Sequence, residues 1–266
     1  GPAMVEVLNQ VMGPNDVYRG TALTTGSAGT IACGDFMKDQ FPTSKIAASE
    51  ALQCPTLLEN GFGAHRIEGI GDKHVPWIHN VKNTDMVMAI DDAATMSLIR
   101  LFNEEVGQEY LVSQGVPAEF VEKLPLLGIS SVANMLSSIK MAKYYELGPE
   151  DIILTVATDS MEMYESRLDE LNEEEGAFTD LDAAASFAQH LHGTTIDYVQ
   201  ELSYYDRKRV HNLKYYTWVE QQGRSYEEIQ AQWYDPEYWT NIHGHVDEMD
   251  ELIDAFNERV GLLKEL

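Results

Sequence analysis

The chain has 266 residues, of which 44% are hydrophobic and 23% are charged, and its formal net charge is −26. This length and composition predict a globular protein with a sizeable core, built as one large domain or one and a half. The acidic excess argues against nucleic acid or an anionic membrane as a partner, because both bind through basic surfaces.

The two cysteines, Cys33 and Cys54, cannot form a disulfide framework and lack the spacing of a zinc site. No apolar run approaches the ~18 residues of a membrane-spanning helix, and the chain does not open with a signal peptide. A reducing, cytoplasmic location is therefore expected.

Helices and strands alternate up to about residue 165. Residues 1–4 resemble the remnant of a purification tag and are set aside. The predicted elements are helix 5–12, strand 17–24, helix 30–40, strand 45–49, strand 85–90, helix 91–106, helix 132–145 and strand 152–157. This order is typical of an α/β fold, doubly wound, with a mostly parallel sheet flanked by helices.

The rest of the chain has a different character. Residues 166–182 are predicted to be an acidic linker, partly a solvated helix, and residues 183–266 an all-helical extension rich in tyrosine and tryptophan. A last helix over 246–263 carries an apolar face. The histidine pairs 190/192 and 243/245 lack metal-ligand spacing, so no metal site is predicted. The aromatic extension favours packing or homo-oligomer formation.

A small-residue turn follows the first strand, where Gly26, Ser27, Ala28, Gly29 and Thr30 lead into the next helix. Small residues let a backbone approach a ligand closely, and the amides that open a helix are free donors at its positive end. This turn therefore predicts a phosphate site, although a plain turn is an alternative. Neither the GxxxxGK[ST] nor the GxGxxG pattern of nucleotide-binding loops is present.

Three more segments fall in loops or at strand ends, where open α/β sheets bind ligands. The first is the glycine-punctuated loop 66–76. The second is 128–134, which enters a helix, and the third is 157–164, which leaves the last strand of the sheet.

In order and spacing these segments resemble the large, C-terminal domain of the fold-type II pyridoxal-phosphate enzymes, the cysteine synthase and tryptophan synthase β group. The family's GTGGT loop is matched by 26–30, with Ala28 where a glycine is usual, and its HxIxGIG loop by 65–71. Its GISSG helix start is matched by 128–132, with Val132 as the last residue. Glu50 matches the family's glutamate after the second strand. The match over 157–164 is looser.

The resemblance implies a cofactor, pyridoxal 5'-phosphate, and a set of binding residues. Gly26, Ser27, Ala28, Gly29 and Thr30 would hold its phosphate, and Gly69, Ile70 and Gly71 would line the wall beside it. Ser130 would face the pyridine nitrogen, and a neutral hydroxyl there implies a largely unprotonated ring suited to chemistry at the β-carbon. Asp159 and Ser160, from the looser match, complete the implied set.

Two family patterns do not occur in the sequence: the SxKxR segment with the lysine that binds the cofactor covalently, and the substrate-carboxylate loop TSGNT. Both are expected to precede residue 1, in an N-terminal small domain. The lysines in this part of the chain are interpreted as solvated surface residues, namely Lys38, Lys45, Lys73, Lys82, Lys140 and Lys143. No catalytic residue is therefore predicted.

The resemblance thus implies that residues 5–165 form the cofactor-binding domain of a lyase or transferase. The parent enzyme would carry out β-replacement or β-elimination on a serine- or cysteine-like amino acid, and this chain would be an inactive fragment of it. The alternative is a catalytically inactive module that binds a phosphorylated ligand or a partner subunit.

Overall fold

A computed structural model describes residues 1–261 of the chain and divides them into two units. The first unit is Gly1–Leu213, and the second begins at Lys214. No helix in the described part of the chain is both long enough and apolar enough to cross a membrane.

The first unit is built on a sheet of five strands in the order β4-β1-β2-β3-β5. The strands are β1 Val17–Thr24, β2 Lys45–Ala51, β3 Met86–Ile90, β4 Asp151–Leu154 and β5 Val199–Glu201. Strands β1 to β4 run parallel, and β5 pairs antiparallel with β3. The predicted doubly wound, mostly parallel sheet is therefore confirmed.

Helices cover both faces of this sheet, and β3 is accordingly buried and apolar throughout. Along β3, for example, Val87 packs in one core cluster with Ile46, while Met86 and Met88 pack in another with Met141. The helices of the first unit are α1 Pro2–Val11, α2 Cys33–Gln40, α3 Thr56–Glu59, α4 Asp92–Asn103, α5 Glu105–Ser113, α6 Ala118–Val121, α7 Ile129–Tyr144, α8 Glu165–Glu175, α9 Asp180–Ser186 and α10 Tyr204–Asn212. Three short 3-10 turns lie at Val81–Asn83, Leu124–Leu126 and Met161–Met163, and a π-helical turn spans Phe187–His192.

Several boundaries differ from those expected. Helix α2 begins at Cys33 and not at residue 30, because the amides of Cys33 and Gly34 bond three residues back, in tight turns. The predicted helix 91–106 is two helices, since the backbone of Glu104 is extended between α4 and α5. Strand β4 stops at Leu154, and α1 includes residues set aside as a tag remnant.

The region beyond residue 165 is also more closely packed than expected. Most of the predicted acidic linker is α8, whose Leu171 is buried and whose Asn172 accepts a hydrogen bond from Arg100 at 2.8 Å. The predicted all-helical extension contributes β5 to the edge of the sheet. Because β5 and α10 belong to the first unit, the boundary between units lies at Leu213.

The described part of the second unit is helical. A π-helical turn, Tyr215–Gln221, is followed by α11 Tyr226–Tyr234, α12 Tyr238–His243 and α13 Val246–Val260. Inside this unit the buried Lys214 Nζ donates to Gln232 Oε1 at 2.7 Å, and Trp239 Nε1 donates to the Gln232 carbonyl at 3.0 Å. Burial lowers the pKa of Lys214 to about 7. The end of the predicted helix at residue 263 lies outside the described residues.

Candidate functional site

The strand order predicts a ligand site between β1 and β4. The chain proceeds from β1 to β2 and β3 on one side, whereas β4 is added on the other side of β1. Ligands of open α/β sheets bind where the strand order reverses, beyond the carboxyl ends of the strands. The loop after Thr24 and the segment after Leu154 both begin at this point.

The loop after β1 presents a row of free amides. Among the described residues, none accepts a hydrogen bond from the backbone N–H groups between Gly26 and Ile31, and the first internal bond runs from the Ala32 amide to the Ala28 carbonyl. Ser27, Gly29 and Thr30 are exposed. A row of backbone amides that have no partner in the protein offers several donors to one anionic ligand, so this loop is suited to bind one.

Two further features of this loop fit a bound ligand. The Thr25 hydroxyl is buried and has no partner within the described residues. Ala28 has a φ of 67°, a left-handed conformation that favours glycine. Strained backbone of this kind is often found where a loop binds a ligand.

The glycine-punctuated loop lies against the loop that follows β1. The Gly71 amide donates to the Thr25 carbonyl at 3.2 Å, and a Cβ added to Gly26 would lie 3.6 Å from the Gly69 carbonyl oxygen. Gly69 itself has a φ of 82°, and a Cβ there would lie 3.8 Å from Ser130 Oγ. The structure therefore brings together residues 26–30, 69–71 and Ser130, which are far apart in sequence.

Ser130 belongs to a directed chain of hydrogen bonds. Its Oγ lies 2.8 Å from Thr158 Oγ1, which in turn donates to Asp159 Oδ1 at 3.0 Å. A carboxylate only accepts, so the single hydroxyl proton of Thr158 is committed to Asp159. Ser130 must then donate its own proton to Thr158, which leaves its oxygen lone pairs for a ligand.

Asp159 also fixes neighbouring groups. The Tyr164 hydroxyl donates to Asp159 Oδ2 at 2.5 Å, and this hydrogen bond to the carboxylate raises the pKa of Tyr164 to about 12. The Asp159 carbonyl accepts from the Gly128 amide at 2.8 Å, which positions the start of α7. Ser160 begins the 3-10 turn that follows, and its hydroxyl is not part of this network.

Asn134 lies in the predicted segment 128–134, but the sequence did not indicate its role in this site. It is buried on α7; its Oδ1 accepts from the Thr24 amide at 2.6 Å, and its Nδ2 donates to the Val156 carbonyl at 2.8 Å. It thereby links the ends of the two strands between which the site is predicted. The sequence feature that could have indicated this role is the side-chain amide of Asn134 among the apolar residues of α7.

Glu50, matched only through the resemblance, has a structural role. Its buried carboxylate accepts from the amides of Leu57 at 2.9 Å and Leu58 at 2.8 Å, at the start of α3. Burial outweighs these bonds and raises the pKa of Glu50 to about 7. Thr56 Oγ1 donates to the Asp72 carbonyl at 2.5 Å, so α3 also supports the glycine-punctuated loop.

The interpretation of Lys140 as a solvated surface residue is wrong. Its side chain is buried on α7, and Nζ donates to the carbonyls of Thr195 at 3.0 Å and Asp197 at 2.7 Å. Burial lowers the pKa of this ammonium group. Lys73, in the glycine-punctuated loop, is exposed. Within residues 1–261, no cluster of three or more histidine, cysteine, aspartate or glutamate side chains could hold a metal ion.

Comparison with known proteins covers about half of the chain. No family model matches it. Cysteine synthase B of Campylobacter jejuni is 28% identical over 140 residues, which are 52% of this chain and 40% of that protein. A cysteine synthase of Staphylococcus aureus strain Mu50 is 27% identical over 140 residues, 52% of this chain and 39% of its own. The chain thus spans about 40% of the length of these curated relatives.

Solved structures give the same fold. O-acetyl serine sulfhydrylase isoform 3 from Entamoeba histolytica has a TM-score of 0.50 and 22% identity, with 71% of this chain and 50% of that chain covered. Cysteine synthase from the same organism has a TM-score of 0.50 and 19% identity, with coverage of 71% and 49%.

Proposed function

We propose, from the similarity to cysteine synthases and the resemblance to the fold-type II pyridoxal-phosphate enzymes, that the α/β region binds the phosphate and ring of pyridoxal 5'-phosphate. The observation that carries the proposal is the row of free amides from Gly26 to Ile31 beside the unpartnered Thr25 hydroxyl. A phosphate group has enough acceptor oxygens to satisfy several of these donors at once.

We assign three groups of residues to the cofactor. Gly26, Ser27, Ala28, Gly29 and Thr30 bind the phosphate through amides and hydroxyls. The space for the ring is bounded by Gly69, Ile70 and Gly71, and larger side chains at these positions would narrow that space. Ser130 faces the ring nitrogen. Asp159 holds this hydroxyl through Thr158. Ser160 has no contact that supports a direct role.

The direction of the Ser130 hydrogen bond has a chemical consequence. Because Ser130 donates to Thr158, its oxygen offers a lone pair to the ligand. That lone pair is best matched by a donor, which favours a protonated ring nitrogen. This differs from the expectation drawn from the sequence, where a neutral hydroxyl implied a largely unprotonated ring. When bound, the cofactor withdraws electrons from the amino acid attached to it.

For the whole protein we propose β-replacement or β-elimination on a serine- or cysteine-like amino acid. The lysine that binds the cofactor and the loop that binds the substrate carboxylate would come from residues outside the printed sequence, in a small domain that partners this one. A cytoplasmic location is part of the proposal, because Cys33 and Cys54 are both free thiols.

The test uses calorimetry with pyridoxine 5'-phosphate, which has no aldehyde and so cannot react with surface lysines. We expect it to bind more tightly than pyridoxine or inorganic phosphate. Thr30→Asp places a carboxylate beside the free amides and should weaken binding at least about tenfold. Thr43→Asp makes the same change at an exposed position beyond the other end of α2 and should have no effect.

The other outcomes are also informative. Equal binding of inorganic phosphate and pyridoxine 5'-phosphate would favour the alternative of a general phosphate-binding module. Absence of binding, or equal effects of the two substitutions, would refute the assignment of the loop.

A further inference from the structure

The apolar face of α13 has no partner in the described structure. Every residue of this helix is exposed except Asn257, which is partly buried. Its large apolar side chains are about half exposed or more, with values from 46% to 63%: Val246, Met249, Leu252, Ile253, Phe256 and Val260. Monomeric proteins rarely leave a continuous apolar patch of this kind uncovered.

The spacing of these residues indicates what covers them. Val246, Met249, Ile253, Phe256 and Val260 follow one another at intervals of three, four, three and four. This is the alternation of a and d positions in a heptad repeat, which keeps one narrow seam facing a second helix. A helix that packs on a flat core usually has a wider apolar face.

The charges of α13 favour a second copy of the same helix. The acidic residues occupy mainly the b, c and f positions, which point away from the seam: Asp247, Glu248, Glu251, Asp254 and Glu258. Positions that flank the seam carry His245, Leu252 and Arg259 at g, and Asp250 and Asn257 at e. In a parallel pair, g of one helix faces the following e of the other, so His245 lies opposite Asp250 of the second copy.

We propose that α13 forms a parallel two-stranded coiled coil with α13 of a second copy of this chain. The sequence led us to expect a homo-oligomer formed through the aromatic helical extension. In this proposal the contact surface is the apolar seam of α13, and not the aromatic residues upstream of it. The proposal does not depend on the proposed function of the α/β region.

The size of the seam predicts a weak dimer. Fifteen helical residues extend about 22 Å. Two such faces bury roughly 1,000 Å², which is near the lower limit for specific interfaces, so we expect a weak dimer. Each copy carries a formal charge of −26, so the dimer should strengthen as salt screens the repulsion. Salt would weaken binding to a basic partner helix.

Sedimentation equilibrium of the full chain tests the proposal. We expect a monomer–dimer equilibrium that moves toward the dimer at higher salt. Ile253→Asp at an a position should weaken the dimer at least about tenfold. Ala255→Asp adds the same charge at the exposed c position and should leave the equilibrium nearly unchanged. Circular dichroism of both variants checks that the helix content is retained.

Cysteine cross-linking tests the orientation. In a background without Cys33 and Cys54, Met249→Cys at a d position should form a disulfide-linked dimer, because equivalent d residues face each other only in a parallel pair. Glu251→Cys at f should not. A monomer at every concentration would overturn the proposal, as would equal behaviour of the two aspartate variants or of the two cysteine variants.

Discussion

Glu50 offers the sharpest test of the electrostatics of this fold. Its carboxylate is 2% exposed and accepts amide hydrogen bonds at the start of α3, yet burial raises its pKa from 4.5 to about 7. A rise of this size corresponds to about 3 kcal/mol of differential stability between the protonated and charged forms. Charging Glu50 is therefore unfavourable in the folded state.

The direction of the pH dependence follows from the linkage between protonation of Glu50 and folding. Because the folded-state pKa lies above the unfolded value, the contribution of Glu50 to the free energy of unfolding is fully present below pH 4.5. It is lost as the pH rises to about 7. Glu50→Gln removes this titration, so the stability of the wild type relative to the variant should fall as the pH rises. Near its pI of about 4.5 the protein carries little net charge, and measurements are better begun at higher pH.

Between about pH 5.5 and pH 8 we expect a relative loss of about 2 kcal/mol. Urea titrations followed by circular dichroism, at a series of pH values, measure it. Glu59→Gln is the matched control, because Glu59 is an exposed carboxylate on the same short helix. If the free energies of unfolding of the wild type and of Glu50→Gln change in parallel with pH across this range, the inferred rise in the pKa of the buried Glu50 carboxyl is wrong.

Three further predictions concern polar groups in the first unit. Asn134→Leu should lower the free energy of unfolding by about 2–5 kcal/mol in urea titrations, because the Thr24 amide and the Val156 carbonyl both lose a buried partner. Burial lowers the pKa of Lys140 below 10.5, so the wild type should gain stability relative to Lys140→Met as the pH rises toward 10.5. Thermal melts at alkaline pH measure this gain, and they would show none if the lysine were solvated. Thr158→Val removes the acceptor of the Ser130 proton, which then becomes free to point at the ligand. The ring nitrogen of bound 15N-labelled pyridoxine 5'-phosphate should therefore become less protonated, which its 15N NMR signal reports. An unchanged signal would contradict the proposed direction of the Ser130 hydrogen bond.

Much of the first unit could be predicted from local pattern. The small residues after β1 and the alternation of strands with helices identify a doubly wound sheet. The rule that ligands bind where strand order reverses explains why the segments after β1 and β4 meet. The start of α2 could not be predicted as well, because the residues before Cys33 form tight turns that have the same composition as a helix start.

The features that were missed depend on contacts between residues far apart in sequence. Lys140 is buried because the carbonyls of residues 195 and 197 accept its protons, and no local pattern indicates these partners. Strand β5 has three residues, which is too short to show a period of two. Arg100 resembles Lys140 in this respect: it is 4% exposed because it bonds to Asn172 and Gly176, which are far from it in sequence.

The pairing of β5 with β3 makes the α/β region depend on chain well beyond residue 165. Met86 and Met88 lie in register with Glu201 and Val199, and the Leu202 amide donates to the Asp85 carbonyl at 2.7 Å. A version of the protein shortened to residue 182 would expose the backbone of a flat, apolar strand, a surface that recruits strands from other molecules. Efforts to isolate the α/β region should therefore retain everything through Leu213, or accept a product prone to aggregation.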